Sequence, residues 1–156
     1  MNTLEIRFEM DRLAKDSASC RPIPTPDVIV DGRSMLERFT LDLRELVAST
    51  HANGEYWIFT CGCGEPGCAG IGNPIVVQHG ADMVYWLVPA PIRQPRSDEP
   101  RNVEFTFERR SYFFVVKAAL ERALRMSDEV NDEVDLGPHG FTVAELRSLA
   151  VEPIWN

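Results

Sequence analysis

Three of the four cysteines in this chain stand within eight positions of one another, as Cys61, Cys63 and Cys68. Glycines and one proline separate them in the run Cys-Gly-Cys-Gly-Glu-Pro-Gly-Cys. Thiolates are good ligands for zinc, and glycine lets a backbone fold tightly around an ion. Thiols at this spacing can also exchange electrons by forming a disulfide. Chemistry, if the chain performs any, is therefore expected in this segment.

A zinc site in this segment requires a fourth ligand, because structural zinc is almost always tetrahedral. No second cysteine pair follows, but His79 lies at the next expected hairpin turn. The predicted ligand set is therefore Cys61, Cys63, Cys68 and His79. Other candidates for the fourth ligand need less direct returns of the chain, and these are His51, Cys20 and Glu65.

Two other interpretations of the cysteines stay open at this point. In the first, they are small apolar residues that pack a tight turn against a sheet. In the second, Cys63 with Cys68, or Cys61 with Cys63, forms a redox dithiol, although a C-x-x-C motif at a helix start is absent. A nucleophilic cysteine would also need a nearby base, and none of the three histidines stands in a recognisable motif.

The composition indicates an ordinary soluble domain. A chain of 156 residues, 44% hydrophobic and 26% charged, suits a single domain spanning residues 1–156. Its net charge of -8 argues against nonspecific binding to nucleic acid or an anionic membrane and permits a basic protein partner. The N-terminus does not resemble a secretory signal, and the apolar runs are too short to cross a bilayer, so we expect a cytoplasmic protein.

Hydrophobic periodicity predicts a first strand and then a helix. Leu4, Ile6, Phe8 and Met10 alternate with polar residues, as in a strand with one buried face. A short apolar run at 28–30 ends at a turn. Beyond it, a capping box of Ser34 and Glu37 opens a predicted helix over about 35–48, with an apolar stripe that includes Leu43 and Leu46.

The remaining segments add strands and two further helices. Strands are predicted at 56–60, 75–78, 83–88 and 103–107, with a hairpin turn at 79–82. Ser111 is expected to cap a helix reaching about Met126, and Thr142 a short last helix with Glu145. The order of elements predicts an α+β fold: a mainly antiparallel meander sheet, two main helices packed on it and a short C-terminal helix.

Three segments taken together resemble a group of small, uncharacterised bacterial proteins. They are Thr60–Ile71, Val84-x-Trp86 and Phe105-x-Phe107-x-Arg109-x-x-Tyr112. The resemblance covers about the middle third of the chain and implies no particular activity. Ala69 replaces the bulkier residue expected after the last cysteine, and the segment after Trp86 is rich in proline.

These observations favour a non-enzymatic cytoplasmic binding protein with a structural cysteine hairpin. No nucleotide-binding loop, catalytic triad order or paired carboxylate motif is present in the sequence. An acidic protein of this kind suits electrostatic capture of a basic protein, such as a bacterial toxin. The alternative is a thiol-dependent enzyme, or a redox or zinc sensor, that uses Cys61, Cys63 and Cys68.

Overall fold

The described residues form nine strands and three helices, which follow one another in a mixed α and β order. The computed structural model describes residues 1–8, 26–35, 39–61, 63–89, 102–133 and 140–151. The strands are β1 (Leu4–Arg7), β2 (Asp27–Val30), β3 (Arg33–Ser34), β4 (Thr40–Leu41), β5 (Gly54–Tyr56), β6 (Phe59–Thr60), β7 (Ile75–His79), β8 (Met83–Pro89) and β9 (Asn102–Glu108). The helices are α1 (Leu43–Ala48), α2 (Arg109–Ser127) and α3 (Val143–Ser148), with a single 3-10 turn at Gly67–Ala69.

The strands form three antiparallel sheets. Their orders are β1-β2-β3, β4-β6 and β5-β7-β8-β9. In the largest sheet Trp86 pairs with Val77 on one side and Phe105 on the other, and all three side chains are buried. The predicted α+β class, the antiparallel pairing and the hairpin between β7 and β8 are confirmed. The meander, by contrast, is divided among separate sheets.

Among the described residues, α2 is the one long helix that packs on the sheets. α2 has 19 residues and buries a stripe through Tyr112, Val116 and Leu120. It begins at Arg109, because the extended Glu108 ends β9 and its carboxylate accepts the backbone N–H of Ser111 at 3.3 Å. The residue predicted as the cap therefore lies inside the first turn.

The predicted helix over 35–48 is wrong at Met35 and at residues 39–42, and the arrangement of two main helices is not confirmed. Of the described residues in this range, only Leu43–Ala48 are helical, because Asp42 caps this helix and the preceding β4 pairs with β6. Ser34 lies in β3 and its hydroxyl donates to Asp27 Oδ1 at 2.6 Å. Glu37, its expected partner in the capping box, lies outside the described residues.

The segment predicted as one strand at 56–60 is broken between two sheets. β5 pairs with β7, whereas β6 pairs with β4. Between them, the Trp57 N–H donates to Glu45 Oε2 at 2.9 Å, and Ile58 O accepts the Asp42 N–H at 2.8 Å. The backbone thus turns away from the large sheet here and leads into the cysteine segment.

A continuous hydrophobic core joins the three sheets and the helices. At its centre the Tyr112 hydroxyl lies 2.7 Å from Ser49 Oγ and accepts the indole N–H of Trp86 at 3.3 Å. Trp86 also packs edge-on against the rings of Phe107 and Tyr112. In the part of the chain that the structure describes, no helix is long and apolar enough to cross a membrane.

Candidate functional site

The cysteine segment is a turn held by its own backbone. After β6, the Gly64 N–H donates to Cys61 O at 3.0 Å, and Gly64 has φ of +89°, which strongly favours glycine. Pro66 O accepts the N–H of Ile71 at 3.0 Å, and Gly70, with φ of +76°, ends the 3-10 turn. Ile71 is buried and anchors the far end of the segment in the core.

This turn brings three sulfur atoms together. The Sγ atoms of Cys61, Cys63 and Cys68 all lie within 4.8 Å of one another. Cys61 and Cys63 form a disulfide, with Cα atoms 5.3 Å apart, whereas Cys68 is a free, exposed thiol. The Cys63 N–H also donates to Cys61 Sγ at 3.3 Å. Three cysteines so arranged can hold a metal ion when reduced and can exchange a disulfide when oxidised.

His79, the predicted fourth ligand, is not brought to the sulfur atoms. Its Nε2 lies 2.9 Å from Ser49 O, so this nitrogen carries the hydrogen and donates it. Its Nδ1 is buried without a hydrogen-bond partner, and its ring lies 6.0 Å from that of Phe113. Among the described residues, no histidine or carboxylate joins the group formed by the three cysteines.

The other candidate ligands also lie apart from the cluster or outside the described residues. His51 Nε2 lies 2.7 Å from Ala150 O. Glu65 is exposed on the cysteine turn itself, but its carboxylate does not belong to the sulfur group. Cys20 lies outside the described residues.

An open groove of about 420 Å³ adjoins the cysteine turn. One wall is the turn and the other is the start of α1. Its charged lining residues are three acids and one base, Asp42, Glu45, Glu65 and Arg44. The remaining lining residues are Trp57, Thr60, Gly64, Pro66, Gly67 and Ile71.

The single base of the groove is already neutralised by acids of the protein. Arg44 contacts Asp42 Oδ2 at 3.1 Å and Glu145 Oε1 at 3.2 Å, and its guanidinium lies 5.4 Å from the ring centre of Phe141. Asp42 is 3% exposed and accepts the N–H groups of Arg44 and Glu45. Burial raises the pKa of the Asp42 carboxyl despite these favourable contacts.

The sequence prediction missed the groove because it placed two of its residues elsewhere. Trp57 is predicted in a buried strand, yet its side chain is 37% exposed. Asp42 and Glu45 are separated by three positions, the spacing of an acidic N-cap followed by a first-turn glutamate. That signal indicated the true start of α1 and could have placed both carboxylates on this side of the molecule.

Comparison with protein-family models, curated proteins and solved structures finds no match. The function must therefore be argued from the cysteine turn and the groove themselves.

Proposed function

We propose that this chain is a non-enzymatic binding protein whose groove takes a basic segment of a protein partner. The observation that carries the proposal is the charge of the groove lining. The lining holds three carboxylates, Asp42, Glu45 and Glu65, against one base, Arg44, which pairs with Asp42 and with Glu145 outside the lining. The lining therefore has a net negative charge, which favours lysine or arginine side chains of a partner.

Trp57 gives such a partner an apolar and aromatic contact beside the carboxylates. Its indole is 37% exposed in the groove lining. A cation over an indole face is stabilised by about 0.5–1 kcal/mol at exposed sites. A lysine or arginine side chain can thus lay its apolar stem and charge on Trp57 while a carboxylate accepts its hydrogen bonds.

The most concrete form of the proposal is the neutralisation of a basic protein, such as a bacterial toxin, in the cytoplasm. The net charge of -8 supports rapid capture, because a long-range field steers an oppositely charged partner toward the groove. In this proposal the cysteine turn is structural and forms one wall of the groove.

The groove proposal is tested by titrating the protein with a hexalysine peptide and following tryptophan fluorescence. Trp57 is exposed in the groove and Trp86 is fully buried, so W57F should remove the response, whereas W155F, which changes the third tryptophan of the chain, should retain it. E65Q should weaken binding about two- to fivefold, since an exposed ion pair contributes about 0.2–1 kcal/mol. The matched control is E121Q, the same charge change on the exposed face of α2.

Hexaglutamate should not bind, and added salt should weaken hexalysine binding because it screens exposed charges. Equal binding of the two peptides would contradict the proposal. So would equal weakening by E65Q and E121Q, because the net charge of the chain would then explain the whole effect.

The cysteine cluster supports a second candidate function, a redox or zinc sensor. Its three sulfur atoms lie within 4.8 Å of one another, and a disulfide already joins two of them. In a reducing cytoplasm a disulfide is usually transient and serves catalysis or sensing. The thiol-dependent enzyme has less support, because no described histidine joins the cluster to act as a base.

Alkylation of the folded protein at neutral pH tests the reactivity that a sensor needs. Cys68 is exposed and should react with iodoacetamide, whereas Cys61 and Cys63 should react only after their disulfide is reduced. Uniformly slow modification before and after reduction would exclude a reactive cluster and leave the structural role.

A further inference from the structure

The three clustered sulfur atoms can be used in two ways that exclude each other. A disulfide holds two sulfur atoms about 2.05 Å apart. Tetrahedral zinc with Zn–S distances of about 2.3 Å requires its thiolates to be about 3.8 Å apart. Cys61 and Cys63 are bonded to each other in this structure, so both cannot be zinc ligands until that bond is broken.

We propose that reduction of the Cys61–Cys63 disulfide creates, together with Cys68, a three-thiolate zinc site whose fourth position is open to an exogenous ligand. This inference rests on the second candidate function. It adds the condition for zinc binding, which is reduction of the disulfide, and the source of the fourth ligand. A dithiol reductant supplies two electrons and two protons, the S–S bond breaks, and the reductant becomes a disulfide. Zinc then displaces one proton from each of the three thiols and binds them as thiolates.

The turn is prepared for this change because its backbone holds the cysteines in place without the disulfide. Hydrogen bonds from Gly64 to Cys61 O and from Ile71 to Pro66 O close it at both ends. The sulfur atoms already lie within 4.8 Å of one another, so contraction by about 1 Å brings the widest pair to the spacing that zinc requires.

Among the described residues no fourth ligand joins the three sulfur atoms, and the two described histidines are engaged elsewhere. His79 donates to Ser49 O, and His51 contacts Ala150 O. Cys63 and Cys68 are exposed, so a metal held between them faces solvent. Zinc with three protein ligands keeps water or another small ligand in its fourth position. A small soluble thiol is the chemical class that best replaces that water, since zinc binds thiolate well.

The test begins with two preparations of the full chain. One is reduced with a phosphine, which introduces no competing thiol, and kept without oxygen. The other retains its disulfide, verified by mass after denaturation and alkylation, because two of its four cysteines should be labelled.

Each is titrated with Co²⁺, which reports thiolate ligation by its absorption, and then with Zn²⁺ as competitor. The reduced protein should bind one equivalent, and the oxidised protein should bind about 100-fold or more weakly.

Three variants separate the ligands from their neighbours. C68S should lose binding in the reduced state by about 100-fold or more, because a hydroxyl replaces a thiolate. C20S and H79Q should bind like the parent chain, and far-UV circular dichroism checks that each variant is folded. Adding 2-mercaptoethanol to the Co²⁺-loaded parent should change its spectrum without releasing the metal.

The possible outcomes identify which step fails. Absence of binding by the reduced chain would overturn this inference and the zinc sensor, while alkylation judges the redox sensor and the hexalysine titration judges the groove separately. Equal metal binding by the oxidised chain would contradict the proposal that reduction is required for binding. Loss of binding in H79Q, or a Co²⁺ spectrum unaffected by added thiol, would overturn the open fourth position.

Discussion

Tyr112 joins α2 to α1 and β8 through one hydroxyl group. Its oxygen accepts the indole N–H of Trp86 and contacts Ser49 Oγ, and all three residues are fully buried. Burial raises the pKa of the Tyr112 phenol well above its ordinary value, so the group stays neutral at every pH at which the fold is of interest. It therefore acts as a polar connection within an apolar core.

Removal of this hydroxyl should be costly. Y112F keeps the ring but leaves the Trp86 N–H buried without its acceptor, which should lower the free energy of unfolding by about 1–3 kcal/mol. Urea denaturation measures the change. The control is Y85F on the half-buried face of β8, expected to change stability by less than about 0.5 kcal/mol. Equal effects of the two variants would contradict the role assigned to the Tyr112 hydroxyl.

Asp42 should make stability depend on pH in an unusual direction for a carboxylate. Its folded-state pKa is raised above the ordinary 3.8, mainly by burial, so the folded protein holds this proton more tightly than the unfolded chain does. Its contribution to stability is therefore complete below pH 3.8 and is lost as pH rises through the folded pKa.

The variant D42N isolates this effect, because asparagine is a comparable N-cap and does not titrate. The free energy of unfolding of the parent minus that of D42N should decrease as pH rises from below 3.8 to neutrality. Urea denaturation of both proteins across this range measures the difference. A difference that increases with pH would show that Arg44 outweighs the cost of burial.

At the scale of elements, α3 is a short helix whose stability should depend strongly on its N-cap. Thr142 Oγ1 accepts the Glu145 N–H at 3.2 Å, as the sequence predicted, and Phe141 and Leu146 are buried on either side of this cap. A six-residue helix has little intrinsic stability, so this cap and its packing must hold it.

T142A should lower the free energy of unfolding by about 1 kcal/mol, the usual value for a lost N-cap. T142S keeps the hydroxyl oxygen and should stay within about 0.5 kcal/mol of the parent. Thermal denaturation followed by circular dichroism measures both. Identical melting of T142A and the parent chain would mean that packing alone holds α3.

Local patterns predicted β7, β8, β9 and α2 well, because alternation along these strands and the stripe on α2 each reflect burial against one core. They failed where two local signals competed. Both Ser34 and Asp42 are suitable N-cap residues for this helix. The helix begins after Asp42, because the residues just before it form β4 and pair with β6. That pairing joins residues 40–41 to residues 59–60. These residues are too far apart in sequence for a local pattern to reveal their contact.

The candidate site was predictable in part for the same reason. The cysteine cluster could be predicted because its residues are close in sequence and its glycines permit a tight turn. His79 could not be placed, since its position depends on β7, which carries it to Ser49 at the end of α1. The groove could not be predicted as a whole, because it forms where the cysteine turn approaches α1, which is distant in sequence. Only the wall that contains Asp42 and Glu45 was indicated by a local pattern, the N-cap spacing of these two residues.

At the scale of the whole molecule, one core serves all three sheets. Buried residues of β2, β8 and α2 belong to the same hydrophobic cluster. The Asn2 side chain bridges the small N-terminal sheet to the large one, because its carbonyl oxygen accepts the Thr106 N–H at 2.7 Å and its amide donates to Asp31 at 2.7 Å. No sheet therefore has a core of its own among the described residues.

A shared core should unfold in one cooperative transition. Urea curves followed by far-UV circular dichroism and by tryptophan fluorescence should coincide, because Trp86 in the core reports the same event as the loss of secondary structure. Separate midpoints would mean that the first sheet opens independently of the others.

The link between Arg44 and Glu145 has a consequence for the order of folding events. It joins the starts of α1 and α3 across 101 residues of sequence, and closing so long a loop is slow. We expect α3 to dock after the rate-limiting step, so that E145Q accelerates unfolding and leaves the refolding rate nearly unchanged. Stopped-flow kinetics in urea would measure both rates, and slower refolding would place α3 in the folding nucleus. Late docking also exposes the buried side of Phe141 and Leu146 during refolding, which makes this last segment the one most open to proteases while the chain matures.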